Sequence, residues 1–236
     1  MALFVMGDLH LSVGVKKPMD IFGGWDNYMA RIAENWRAVV KEADTVVIPG
    51  DISWGMNLTE SLADFQLLES LPGTKLLMKG NHDYWWTTVS KMEKFFAENE
   101  IRSLRIVHNN HFAWGEYGIC GTRGWINEAE EAQDVKVNAR EAGRLDASIR
   151  SARKAGLKPV VFLHYPPVYG SSCNYEILEV LQRHGIRQVF YGHIHGRFCD
   201  YAVNGERAGI FYRLVSSDYM KFCPLDITKI VQNDNF

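Results

Sequence analysis

The sequence has no cysteine pair at C-x-x-C spacing, no block of like charges, no internal repeat, and no low-complexity tract or linker. Each absence excludes something. Its four cysteines (Cys120, Cys173, Cys199, Cys223) stand far apart, which argues for reduced thiols rather than a disulfide frame. A formal net charge of −2 gives bulk nucleic-acid binding no support. The apolar start, Met1 to Met6, has no basic leader and breaks at Gly7-Asp8. It is too short for a signal peptide or a membrane span, so it reads as a first strand of a cytoplasmic protein.

What is present is an ordinary globular composition, 47% hydrophobic and 23% charged over 236 residues, enough chain for one sizeable core. We expect one domain over residues 1–236. Short apolar runs alternate with helical periodicity. Leu3 to Met6, Thr45 to Ile48, Lys75 to Met78, Val160 to Leu163 and Gln188 to Tyr191 read as buried strands. Trp25, Tyr28, Met29, Ile32 and Trp36 recur at helical spacing, with Asp26 or Asn27 as a cap. Asn57 and Glu60 form a capping-box pattern before Leu62, Phe65 and Leu68. Val89 to Phe96 predicts another helix. Three short strands, at Leu104 to Val107, His111 to Trp114 and Tyr117 to Cys120, break the rhythm. A long helix then follows the acids Glu128, Glu130, Glu131 and Asp134 and closes at Arg153-Lys154. Asn204-Gly205, between Phe198 to Val203 and Ile210 to Val215, predicts a hairpin turn. The whole is an α/β chain with an antiparallel component.

The five buried strands end in Gly7-Asp8-Leu9-His10, Gly50-Asp51, Gly80-Asn81-His82-Asp83, His164 and Gly192-His193-Ile194-His195. Loops leaving the carboxyl ends of strands are where functional groups gather in open α/β sheets. Five of the eight histidines lie in these stretches, in register with Asp and Asn. A lone strand-end histidine is more often structural, and His108, His111 and His184, which lack such context, are read that way. Aspartates, an amide oxygen and imidazoles without a thiolate suit Mn, Fe or Zn.

In this order, Asp-x-His, Gly-Asp, Gly-Asn-His-Asp, His and Gly-His-x-His resemble the calcineurin-like metallophosphoesterase family, from Asp8 to His195. The resemblance implies a four-layer α/β/β/α sandwich of mixed sheets with helices on the outer faces. It also implies two divalent metal ions. Asp8, His10, Asp51 and His195 would hold one, and Asp51 would bridge to a second held by Asn81, His164 and His193. His82 would be the catalytic imidazole beside the leaving group, with Asp83 orienting it. The implied reaction is hydrolysis of a phosphate mono- or diester by in-line attack of a metal-bridging hydroxide.

The protein Ser/Thr phosphatase branch carries Gly-Asp-x-x-Asp-Arg-Gly at its second motif. Here Trp54 and Gly55 stand in place of the acid and the arginine, which disfavours that branch, while Asp8-Leu9-His10-Leu11-Ser12 and Gly192-His193-Ile194-His195 resemble the bacterial phosphodiesterases of the family. Arg123, flanked by glycines after a strand, is either a replacement phosphate clamp or a surface arginine in a turn. Trp54, Tyr84, Trp85, Trp86 and Trp125 sit beside the motifs, and core packing accounts for at least half of them. The expected partner is a small phosphorylated or nucleotide-type substrate, with no membrane and no nucleic acid. The alternatives are a non-catalytic metal-binding scaffold on the same fold and a nuclease.

Overall fold

Side-chain alternation along the buried strands sets the layering of this protein, seen in a computed structural model that describes residues 1–17, 19–127 and 131–233. The first part of the chain runs β1 (Leu3–Val5), α1 (Tyr28–Val39), β2 (Thr45–Ile48), α2 (Leu62–Glu69), β3 (Thr74–Leu77), α3 (Val89–Glu98) and β4 (Leu104–Ile106). Next come β5 (Phe112–Trp114), β6 (Tyr117–Thr122), α4 (Ala132–Lys154) and β7 (Lys158–Leu163). A small hairpin follows, β8 (Val168–Tyr169) with β9 (Ser172–Cys173), then α5 (Tyr175–Arg183) and β10 (Gln188–Tyr191). The chain continues through β11 (Gly205–Arg207), β12 (Ile210–Leu214), β13 (Leu225–Asp226) and α6 (Thr228–Val231).

Two mixed sheets form. In one, β1 to β4 are parallel and β13 adds antiparallel at the edge, in the order β13-β1-β2-β3-β4. In the other, ordered β11-β12-β10-β7-β6-β5, the four inner strands are parallel and the two edges antiparallel. Successive strand residues point to opposite faces. Val46 and Ile48 therefore meet Trp36, Phe65 and Met92 of the first three helices, while Val47 faces the second sheet. On that second sheet, Val160 and Phe162 face Val47 and Leu76, while Val161 and Leu163 pack on Leu145 and Ile149 of α4. The result is helices, sheet, sheet, helices: the expected four layers, with strands buried on both faces and hence continuously apolar.

Local expectations fared unevenly. Asn57 Oδ1 accepts the Glu60 amide at 3.0 Å, one half of a capping box, but the Glu60 carboxylate accepts from the Asn57 side-chain amide at 2.8 Å and the Met56 amide at 3.0 Å rather than from the Asn57 backbone, and the helix proper starts at Leu62. Asn204-Gly205 does not form the hairpin turn. The reversal is at Ala208-Gly209, both with positive φ, because Asn204 Oδ1 accepts the Leu214 amide and commits Gly205 to β11. Phe198 to Val203 is not a strand: Gly196–Tyr201 winds into a 3-10 turn. For α4, Asp134 and the closing Arg153 and Lys154 are in place, whereas Glu128 and Glu130 lie outside the described residues. No described helix is long and apolar enough to cross a membrane.

Candidate metal centre

The carboxyl ends of β1, β2 and β3 in one sheet meet those of β7 and β10 in the other, because Gly7 at the end of β1 bridges in parallel to Ser216 beyond β12. The Gly7 amide donates to Val215 O at 2.8 Å, and the Asp8 amide to Gly50 O at 2.9 Å, so the turns are tied to one another. Asp8, His10, Asp51 and His193 all have φ between 47° and 74°. A left-handed backbone is uncommon outside glycine and costs of order 1–3 kcal/mol per residue, strain that concentrates at functional sites. The glycines beside them are required by close approach: a Cβ on Gly80 would overlap the Asp51 carboxylate, and one on Gly192 the Asp8 carboxylate.

These turns bring all seven sequence-predicted ligands together. Asp8, His10 and His195 each place one donor atom within 4.8 Å of the others, as do Asp8, Asp51 and His164. Asn81 Oδ1 lies 2.6 Å from His164 Nε2 and 3.0 Å from His193 Nδ1. Asp51 stands between the sets, with Oδ2 3.7 Å from His10 Nε2 and 3.6 Å from His164 Nε2.

Electrostatics follow from burial. Desolvation pushes the His10 imidazole down to about 3 and His193 to about 4, and also holds His164 well below the ordinary imidazole value, so these rings are neutral donors with free lone pairs. Burial, reinforced by the Asp83 and Asp8 charges, raises Asp51. Burial also works to raise Asp8, but the hydrogen bond and charge of His195 outweigh it and hold that carboxyl below the ordinary range. Neutral imidazoles around crowded carboxylates are a donor set that fits divalent cations, which relieve the carboxylate repulsion.

His82 is half-buried, and its amide donates to Asp51 Oδ1 at 2.8 Å. Its Nδ1 has no hydrogen-bond partner among the described residues. The ring packs on Trp54, 4.5 Å between centroids, and Trp54 also stacks on His10 at 5.0 Å and 23°. The Trp54 indole thus packs between the His82 and His10 rings.

The expectation that Asp83 orients His82 is corrected. The Asp83 carboxylate accepts the amides of Asp51 (2.9 Å), Ile52 (2.8 Å) and Gly80 (2.7 Å) and the Trp85 indole (3.0 Å). It clamps two ligand-bearing turns to each other by satisfying buried backbone amides of both. Arg123 is held rather than free: it lies over the Trp125 ring at 4.3 Å and pairs with Glu141 at 3.4 Å.

Sequence reasoning missed Asp218. It accepts from His195 Nδ1 at 2.8 Å and from the Gly196 amide at 2.9 Å. Burial would lower His195, but the bonds to Asp218 and Asp8 hold it up to about 10. The signal was there, since Asp218 follows the apolar run Ile210 to Val215 as Asp8 follows Leu3 to Met6. Beside His10, His82 and His195 opens a cleft of about 450 Å³ walled by Phe22, Trp25, Trp54 and Phe198.

The family model for calcineurin-like phosphoesterases matches residues 1–197. No curated protein matches the chain significantly. Among solved structures, a protein of unknown function from Aquifex aeolicus is 14% identical with a TM-score of 0.53, the match covering 98% of each chain. The phosphopantetheinyl hydrolase of Mycobacterium tuberculosis is also 14% identical, with a TM-score of 0.52 over 91% of this chain and 88% of that one. At such identity these likenesses concern the fold. The family match spans most of the sequence and every strand-end motif, so the chain belongs to the calcineurin-like phosphoesterases and is a hydrolase of phosphoric esters.

Proposed function

We propose that the chain is a metal-dependent phosphohydrolase cleaving a mono- or diester of a small phosphorylated molecule in the cytoplasm, where its four unpaired cysteines stay reduced. Asp8, His10, Asp51 and His195 would hold one divalent cation, and Asp51, Asn81, His164 and His193 the other. The observation that carries this reading is the position of Asp51 Oδ2, 3.7 Å from one histidine set and 3.6 Å from the other. Two divalent cations, Mn, Fe or Zn by the donor chemistry, supply Lewis acidity and a water activated for attack at phosphorus.

The chain's own residues do the rest. Asp8 and Asp51 fix the two ligand sets in register through the amides of His193 and His82, so the site is preorganised. His82, standing at the mouth of the aromatic cleft, protonates or hydrogen-bonds the departing oxygen. The walls of Trp25, Trp54 and Phe198 exclude water from the leaving group and take its organic part. The test is hydrolysis of nitrophenyl phosphate and bis-nitrophenyl phosphate with Mn²⁺, alongside a phosphopantetheinyl conjugate. Wild type turning over at least one ester, and Asp51→Asn none, supports the reading. Equal, background rates for both proteins on every ester would remove it.

A further inference from the structure

On the Asn81 and His164 side of the centre lies a second cleft, of about 470 Å³. That is within the range of small-molecule sites, roughly 300–1,000 Å³. It adjoins the ligand loops directly: Lys79 lines it two residues before Asn81, and so does Arg123, whose carbonyl accepts the His164 amide at 3.2 Å.

Its charge is unlike that of the chain as a whole. Lys79, Arg123, Arg140 and Arg144 face a single carboxylate among the described lining residues, Glu141. The formal excess is three positive charges, in a protein whose net charge is −2. Glu141 is already shared between Arg123 at 3.4 Å, Arg144 at 3.6 Å and the Thr122 hydroxyl. Lys79 and Arg140 have no ion-pair partner among the described residues. His108 adds no charge, because its Nε2 accepts from Arg144. Donor-only groups under a positive field are complementary to an oxyanion. A phosphoryl group, with nearly two negative charges and three acceptor oxygens, answers that excess better than a carboxylate.

We propose that this cleft binds a second phosphoryl group of the substrate, which is therefore a small molecule bearing two phosphates, one cleaved at the metal centre and one held here. The assignment rests on the phosphohydrolase reading. Its test has a binding arm and a kinetic arm. In EDTA-treated protein, calorimetry with pyrophosphate should show binding that Arg140→Gln and Arg144→Gln each weaken roughly tenfold or more. Arg140 is exposed, so its substitution spares the core, and thermal melts of both variants check the fold. With Mn²⁺, both variants should lose a similar factor in kcat/KM on hexose and nucleoside bisphosphates while keeping wild-type rates on nitrophenyl phosphate. Pyrophosphate binding that is absent, or indifferent to both substitutions, overturns the proposal. So does a protein that hydrolyses nitrophenyl phosphate but gains nothing from a second phosphate; if free phosphate then alters nitrophenyl phosphate turnover through Arg140 and Arg144, the cleft takes the free anion instead. Anion binding in a protein that hydrolyses none of these esters overturns the phosphohydrolase reading itself, and the substrate assignment with it.

Discussion

His195 Nδ1 lies 2.8 Å from Asp218 Oδ1, while Nε2 of the same ring lies 3.4 Å from Asp8 Oδ1. The imidazole is thus fixed from behind by one carboxylate and aimed at the ligand cluster by the other. Partners behind a ligating histidine typically contribute 10–100-fold to metal affinity. Asp218→Asn should weaken Mn²⁺ binding by roughly that factor, measured by calorimetry on the apoprotein. His195→Ala should weaken the ion shared with Asp8 and His10 more than the other. Unchanged affinity in Asp218→Asn would reduce that residue to a turn former at Gly196.

Asp83 tests a structural role against a catalytic one. Removing its carboxylate leaves the amides of Asp51, Ile52 and Gly80 and the Trp85 indole without an acceptor. Each buried group so abandoned costs about 1–3 kcal/mol. Asp83→Ala should therefore lose at least about 3 kcal/mol of stability by urea denaturation of metal-free protein. A variant as stable as wild type but slow in turnover would return Asp83 to the catalytic role.

For His82, the leaving group decides the outcome. General acid help is typically worth ~10²–10⁴-fold when the leaving oxygen is a poor alkoxide, and much less for nitrophenolate. His82→Gln should lose roughly 10²-fold or more on an alkyl phosphate and far less on nitrophenyl phosphate, with metal content unchanged. Equal losses on both esters would mean that the ring acts on binding instead.

Lys75 gives a pH signature away from the metal centre. It is fully buried, its Nζ donates to Leu71 O and Ser103 Oγ, and burial pushes it down from 10.5 to about 8. Below pH 8 both folded and unfolded chains carry this proton. Between 8 and 10.5 only the unfolded chain keeps it, so the Lys75 contribution to stability rises with pH. The stability of wild type minus Lys75→Met should increase by up to about 3 kcal/mol from pH 7 to pH 11. A flat difference would show that the amine titrates normally.

The apolar runs before Asp8, Asp51, Asn81, His164 and His193 made both the parallel strands and the ligand set readable from sequence alone. Strands buried on both faces have to be continuously apolar, and their ends expose a fixed next residue. Helix starts and the last hairpin were not readable in the same way. The Asn57-Glu60 pair and Asn204-Gly205 are local signals: the first closes a turn ahead of the helix, and the second was redirected by a bond to the Leu214 amide.

The order and chemistry of the strand-end motifs therefore determined the family, the fold and the candidate ligands. Partnerships between neighbouring strand-end turns were decided only in three dimensions. Asp83 turned from an imidazole orienter into a backbone clamp, Trp54 took over the packing of His82, and Asp218 came to stand behind His195. A residue's type limits what it can bond to, but which buried donor lacks an acceptor is settled only once the layers have closed.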